Sequence, residues 1–207
     1  MRLAPALLAA ALACACGASG PGSTRPEASA RAGDDRLGVR VPKDWIGRWV
    51  GEPVVLAGPG AAPATLVRFW TDTCPYCEAS LPALEELRLR HGPAGLATLA
   101  VYHPKPRGRD GALPDDEVRA WAAERSYRGP LAVDREWRAL DRLWLDTGKR
   151  PATSASFLLD AEGVVRFVHP GPEFHPGGEP GHERCARDFE ELERAVVALL
   201  AADRKGE

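Results

Sequence analysis

Cys74-Pro75-Tyr76-Cys77 is the group in this chain whose residue types and spacing can do chemistry. Two cysteines three positions apart lie within reach of one another, and a dithiol that closes and opens is a two-electron reagent. The pair follows an apolar run, Thr65-Leu66-Val67-Arg68-Phe69-Trp70, and precedes a helical pattern through Glu78, Leu81, Leu84 and Leu87. Strand, short loop and helix in that order put Cys74 at a helix N-terminus. Unpaired N–H groups and the helix dipole there stabilise a thiolate. Cys74 is therefore the expected nucleophile, partly exposed and with a lowered pKa, and Cys77 the buried resolving thiol one turn further on. The competing readings are a structural disulfide or half of a zinc site, but no second Cys-x-x-Cys follows to complete a metal tetrad. Pro75 presets φ for a helix start and lacks an N–H that no helix needs there. Tyr76 projects beside the sulfurs, to meet a partner or to cover the helix end.

Other groups stand near this pair in the sequence or in the topology it implies. Trp70 suits the core. Asp72 and Glu78 flank the dithiol and are candidates to take the proton of Cys77. His103 ends a strand at the sheet edge from which Cys74 starts, which makes it and Lys105 neighbours by topology. His169, His175, His182 and Cys185 gather around a Gly/Pro-rich loop. Imidazole and thiolate suit copper or zinc, but the spacing matches no metal motif and no metal is assigned. Cys185 is either a free buried thiol or a third redox partner.

The elements that must position these groups follow from pattern. The chain has 207 residues, a net charge of −2 with both signs interspersed, and five cysteines. That gives no reason to expect nucleic acid or an anionic membrane surface as a partner. Met1-Arg2 followed by the apolar stretch Leu3 to Ala13 reads as an export signal. Ala11-Leu12-Ala13-Cys14 then ends in a small-residue cleavage site or in a lipoprotein signal, with Cys14 ahead of Cys16 as the lipidated residue. An uncleaved anchor is the third reading. All three place the domain outside the cytoplasm, in the periplasm or cell envelope, where disulfides persist. The expected organisation is a signal at 1–16, a flexible linker at 17–40 and one domain at 41–207.

Within that domain, strands are expected at Thr65–Trp70, Gly95–Tyr102, Leu131–Val133, Ser156–Asp160 and Val164–His169. Helices are expected at about Cys74–Arg90, Asp115–Tyr127, Arg135–Leu145 and Glu183–Asp203, with a kink at Pro82 and a side-chain cap at Asp115 or Asp116. Ala161-Glu162-Gly163 is a hairpin signal. Parallel strands with helical crossovers, closed by an antiparallel hairpin and a helix, give an α/β fold with a central mixed sheet covered on both faces.

Phe69-Trp70, Cys74-Pro75-Tyr76-Cys77, Leu81-Pro82-Ala83-Leu84 and Phe157-Leu158-Leu159-Asp160-Ala161-Glu162-Gly163 together resemble the thioredoxin fold, and within it the extracytoplasmic TlpA/ResA-like thiol–disulfide oxidoreductases. The stretch from Leu113 to Val133 is similar to that family's α-β insertion. Four positions depart from the pattern. Thr73 stands where thioredoxins place a Trp, Arg68 where thioredoxin has a buried Asp, and Ser80 where ResA-like proteins have a Glu. Ser154, after Thr153, stands where the family has the cis-proline that packs on the disulfide. A cis bond before Ser costs about 2.5–4 kcal/mol, so a trans loop and a strained cis bond are both open. The resemblance implies an enzyme without a cofactor, which reduces disulfides of exported proteins with electrons from a membrane donor. Two alternatives stand beside it. One is a peroxidase, for which Thr71 and Cys74 fit a Pro-x-x-x-Thr-x-x-Cys pattern but Val67 replaces the Pro. The other is a copper carrier using Cys74, Cys77 and a loop His.

Overall fold

The computed structural model describes residues 31–177 and 180–206. The expected signal at 1–16, with Cys14, and the expected linker as far as residue 30 lie outside the described residues.

Six strands form one sheet: β1 (Trp49–Val50), β2 (Ala64–Trp70), β3 (Leu96–Tyr102), β4 (Leu131–Val133), β5 (Ser156–Asp160) and β6 (Val165–His169). Their order across the sheet is β1-β4-β3-β2-β5-β6. β2 runs parallel to β3, from Ala64 opposite Leu96 to Trp70 opposite Tyr102, and β3 runs parallel to β4. β5 is antiparallel to β2, β6 to β5, and β1 to β4. All seven residues of β2 are buried. This is why its sequence is a nearly unbroken apolar run rather than an alternating one. Ala64, Leu66 and Trp70 face one cluster, Val67 and Phe69 the other.

Four helices cover the two faces: α1 (Pro75–His91), α2 (Asp115–Glu124), α3 (Arg138–Leu143) and α4 (Glu183–Gly206). Leu81, Leu84 and Leu87 of α1 pack with Val118 of α2 and with Leu192, Val196 and Leu200 of α4. On the opposite face Leu140 and Leu143 of α3 pack with Val41, Trp45 and Ile46. Gly163 closes the β5–β6 hairpin at φ 75°, and a Cβ there would meet the Leu56 carbonyl oxygen at 3.1 Å and Ala57 Cβ at 2.6 Å.

Several boundaries differ from expectation, each for a local reason. α1 continues through Pro82 from Pro75 to His91. α2 starts at Asp115, but its cap residue is the extended Pro114 without a side-chain cap bond. It stops before Tyr127 because Ser126 turns to φ 66°. The third helix shrinks to Arg138–Leu143 because Trp137 sits at φ 59°, outside the helical region. The two-residue β1 was not anticipated. Residues 31–40, read as linker, lie against the domain. Asp34–Arg36 form a 3₁₀ turn, Arg40 bridges to Val164, and the Gly38 N–H bonds the Val165 carbonyl at 2.9 Å.

Candidate active site

Cys74 caps α1 with extended backbone (φ −120°, ψ 111°), and Pro75 opens the helix. The Cys77 N–H donates to the Cys74 carbonyl at 3.0 Å. Thr73, Pro75 and Tyr76 are exposed, Cys74 is half-buried and Cys77 is wholly buried. One sulfur thus faces solvent behind an exposed rim, and the other is sheltered within the cluster that contains Trp70 and Leu81.

Beneath the pair lies Arg68 on β2, with no exposed surface. Its Nη1 donates to the Ser154 carbonyl at 2.6 Å and to Ser156 Oγ at 3.2 Å, and its Nη2 donates to the Pro172 carbonyl. Its guanidinium lies over the Phe174 ring, 5.1 Å from the centroid. Ser154 also approaches the dithiol directly, with Oγ 3.1 Å from Cys77 Sγ. The Thr153–Ser154 bond is trans; the cis peptide among the described residues is Lys105–Pro106.

This geometry splits the two thiols. A hydrogen bond from the Cys77 thiol, the N–H groups of Cys77 and Tyr76, and the Arg68 charge stabilise the Cys74 thiolate. They outweigh partial burial and lower its pKa from 9.0 to about 6. The same hydrogen bond, given up when Cys77 ionises, joins burial in pushing the Cys77 thiol well above its ordinary range. Arg68 and Ser154 pull the other way. Burial pushes the Arg68 guanidinium down, while the two sulfurs favour its charge. A guanidinium starts so high that it stays a cation throughout.

The remaining candidates are dispersed. Trp70 is wholly buried, stacked on Trp121 at 4.7 Å and tilted against Tyr102 at 5.0 Å. Asp72 is paired with Arg109 at 2.5 Å and accepts from the Tyr102 hydroxyl at 3.2 Å; Glu78 is paired with Arg125 at 3.0 Å. Both carboxylates are thus committed to arginines. His103 packs against Phe69 and Trp137, on the sheet face opposite Cys77. Its ring nitrogens have no hydrogen-bond partner among the described residues. Burial, then the charges of Lys105 and Arg68, lower its pKa to about 3, so it is neutral. A groove of about 730 Å³, lined by Asp44, Arg48, Asp134, Arg135 and Asp141 among others, includes no residue of the dithiol loop.

Sequence reasoning noticed Arg68 only as a departure from a pattern. The signal for more was present, since it is the one charge in a wholly buried strand. Ser80 likewise proves to be a link, accepting from the Phe174 N–H at 3.2 Å and donating to the Tyr76 carbonyl at 2.8 Å.

The dithiol thus stands at a strand-to-helix turn, between β2 and α1. Residues 49–168 match the family described as AhpC/TSA. The chain belongs to the AhpC/TSA family. A curated relative, the thiol-disulfide oxidoreductase YkuV of Bacillus subtilis, is 27% identical over 107 residues, 52% of this chain. The match spans 66% of that relative, just under two thirds of its length. A thiol:disulfide interchange protein of the thioredoxin family from Chlorobium tepidum superposes with TM-score 0.52 and 20% identity, over 84% of this chain and 99% of its own. A secreted Mycobacterium tuberculosis disulfide oxidoreductase homologous to E. coli DsbE gives 0.50 and 16%, over 80% and 98%. At these identities the structures speak for fold alone: it is thioredoxin-like, a mixed sheet flanked by helices with an α-β insertion.

Proposed function

We propose that this protein is an extracytoplasmic thiol–disulfide oxidoreductase that reduces disulfides of exported proteins. The observation that carries the reading is the asymmetry of the two sulfurs: Cys74 half-exposed with a pKa of about 6, Cys77 buried with a raised one. The Cys74 thiolate attacks one sulfur of a substrate disulfide. That S–S bond breaks, the first substrate thiolate leaves and takes up a proton, and a mixed disulfide forms. Cys77 then loses its proton and attacks Cys74 Sγ, expelling the second substrate thiolate. The substrate gains two electrons and the Cys74–Cys77 disulfide holds the oxidised state. Arg68, under both sulfurs, offsets the cost of ionising Cys77 in a buried place.

A comparison of thiolate stabilities supports the reductive direction. Thioredoxin's nucleophile, with a pKa of about 7, belongs to a couple near −270 mV. DsbA's, at about 3.5, belongs to one near −120 mV. A pKa of about 6 stands closer to the first. A membrane-bound donor returns the dithiol to its reduced form. Export rests on the apolar stretch Leu3 to Ala13, with Cys14 as the residue to carry lipid. No helix of the described residues is long and apolar enough to cross a membrane.

A redox titration of the Cys74/Cys77 couple with thiol mass labelling tests the reading. A potential of roughly −230 mV, on the thioredoxin side of that interval, is expected; one near −120 mV would reverse the direction. Absence of insulin reduction by the wild type, or rapid consumption of peroxide, would remove this function altogether.

A further inference from the structure

Behind the dithiol, the loop that leads from β6 into α4 gathers four electron-rich groups. Glu173, His175, His182 and Cys185 each offer one ligand atom, and all four atoms lie within 4.8 Å of one another. His175 Nε2 is 3.0 Å from His182 Nδ1 and 3.5 Å from Glu173 Oε1. The His175 N–H reaches the Cys185 carbonyl at 3.5 Å, tying the loop to the first turn of α4. His182 and Cys185, three residues apart at that helix start, face the same side. All four residues are half-buried, reachable by an ion yet held by the fold.

One contact sets the chemistry of the cluster. His175 Nδ1 lies 2.9 Å from the Pro176 carbonyl oxygen. A carbonyl only accepts, so Nδ1 carries the hydrogen, and the lone pair of Nε2 is left facing the other three groups. A metal-ligating imidazole almost always hands its other N–H to such an acceptor.

A thiolate, two imidazoles and a carboxylate are donors of mixed softness, suited to Zn²⁺ and unlike the all-oxygen sets of calcium and magnesium. Tetrahedral zinc with bonds of about 2.0–2.3 Å needs ligand atoms roughly 3.3–3.8 Å apart. The observed separations reach that range with side-chain shifts of the order of an ångström. We propose that Glu173, His175, His182 and Cys185 form a four-coordinate zinc site. With every position supplied by the protein, the site is structural, not catalytic. His169, grouped with these residues on sequence grounds, takes no part: it is buried and bound to Asp188 at 3.2 Å. Glu173, which sequence grounds overlooked, takes its place.

Its position says what the metal would hold. Phe174, between two of the ligands, is wholly buried, bonds Ser80 of α1 through its N–H and lies over Arg68. Pro172, one residue before Glu173, accepts from Arg68. The zinc would pin the strip of backbone that holds the buried charge under the dithiol.

The dithiol can itself bind zinc, so the test removes it. In a Cys74→Ser/Cys77→Ser protein freed of metal by chelation, zinc titration against a chromophoric competitor should show one tight equivalent. Co²⁺ should give tetrahedral d–d bands and a thiolate charge-transfer band. The latter should vanish on adding Cys185→Ser, and affinity should fall at least tenfold with His175→Ala/His182→Ala. Native mass spectrometry of unmutated protein with Cys74 and Cys77 joined as a disulfide reads the same site without relying on the folding of a variant. It should show one zinc retained. No equivalent in either preparation, a six-coordinate cobalt spectrum without charge transfer, or uptake unchanged by the histidine pair would overturn the proposal.

Discussion

A half-exposed thiolate is useful only if its ionisation is cheap, and here the supports are one neighbouring thiol, two peptide N–H groups and one arginine. Alkylation of the reduced protein should titrate with a midpoint near pH 6, and Cys74→Ser should abolish that phase while Cys77 stays slow. The reduced fold gains stability through the same ionisation. In the unfolded chain Cys74 ionises near 9.0, in the fold near 6. The stabilisation is complete above 9 and is lost as pH falls through 6. The melting temperature of reduced wild type should therefore gain on that of Cys74→Ser between pH 6 and 9. Arg68→Met removes the charge but keeps much of the volume. It should raise the alkylation midpoint, let mixed disulfides accumulate in trapping experiments, and lower stability by about 1–3 kcal/mol for the Ser154 and Pro172 carbonyls left without a donor. Cys74 and Cys77 were legible from sequence because their chemistry is local. The importance of Arg68 was not, since its partners lie 86 to 104 positions away.

Elements are legible in proportion to their length and regularity. β2, β3, β5 and α4 announce themselves by period or by unbroken apolar character, and their observed bounds fall close to the expected ones. β1 has two residues, too few to carry a period. α3 is short because a single tryptophan takes a left-handed conformation, a choice fixed by its packing and not by its intrinsic preference. The contact between α1 and the loop before α4 is equally silent in sequence, since it depends on one hydroxyl meeting one N–H across 94 positions. Ser80→Ala should leave the buried Phe174 N–H without an acceptor and cost about 1–3 kcal/mol in denaturant unfolding. Hydrogen exchange at Phe174 should speed up while that of β2 tracks only the global loss.

Across the molecule, burial works against the charged form of two imidazoles. His103 takes a proton at about pH 3 in the fold against an ordinary 6.5, and burial also lowers His169. An imidazole of this kind favours the fold fully above pH 6.5, and that contribution is lost as pH falls toward 3. The slope is at most about 1.4 kcal/mol per pH unit for one group. Unfolding measured from pH 7 down to pH 4 should thus show a shallower loss for His103→Leu than for wild type. The mixed sheet also brings Ser154, Ser156 and Pro172 under a residue that precedes them by nearly half the chain. That arrangement sets a timetable for biosynthesis. The β2 cation leaves the ribosome 104 positions ahead of its last acceptor, a delay of roughly 5–20 s at typical elongation rates. Throughout that interval the nascent segment bearing both sulfurs lacks the oxygen acceptors that hold its guanidinium in place. Its reactivity toward oxidants is therefore set only when the C-terminal third has been made.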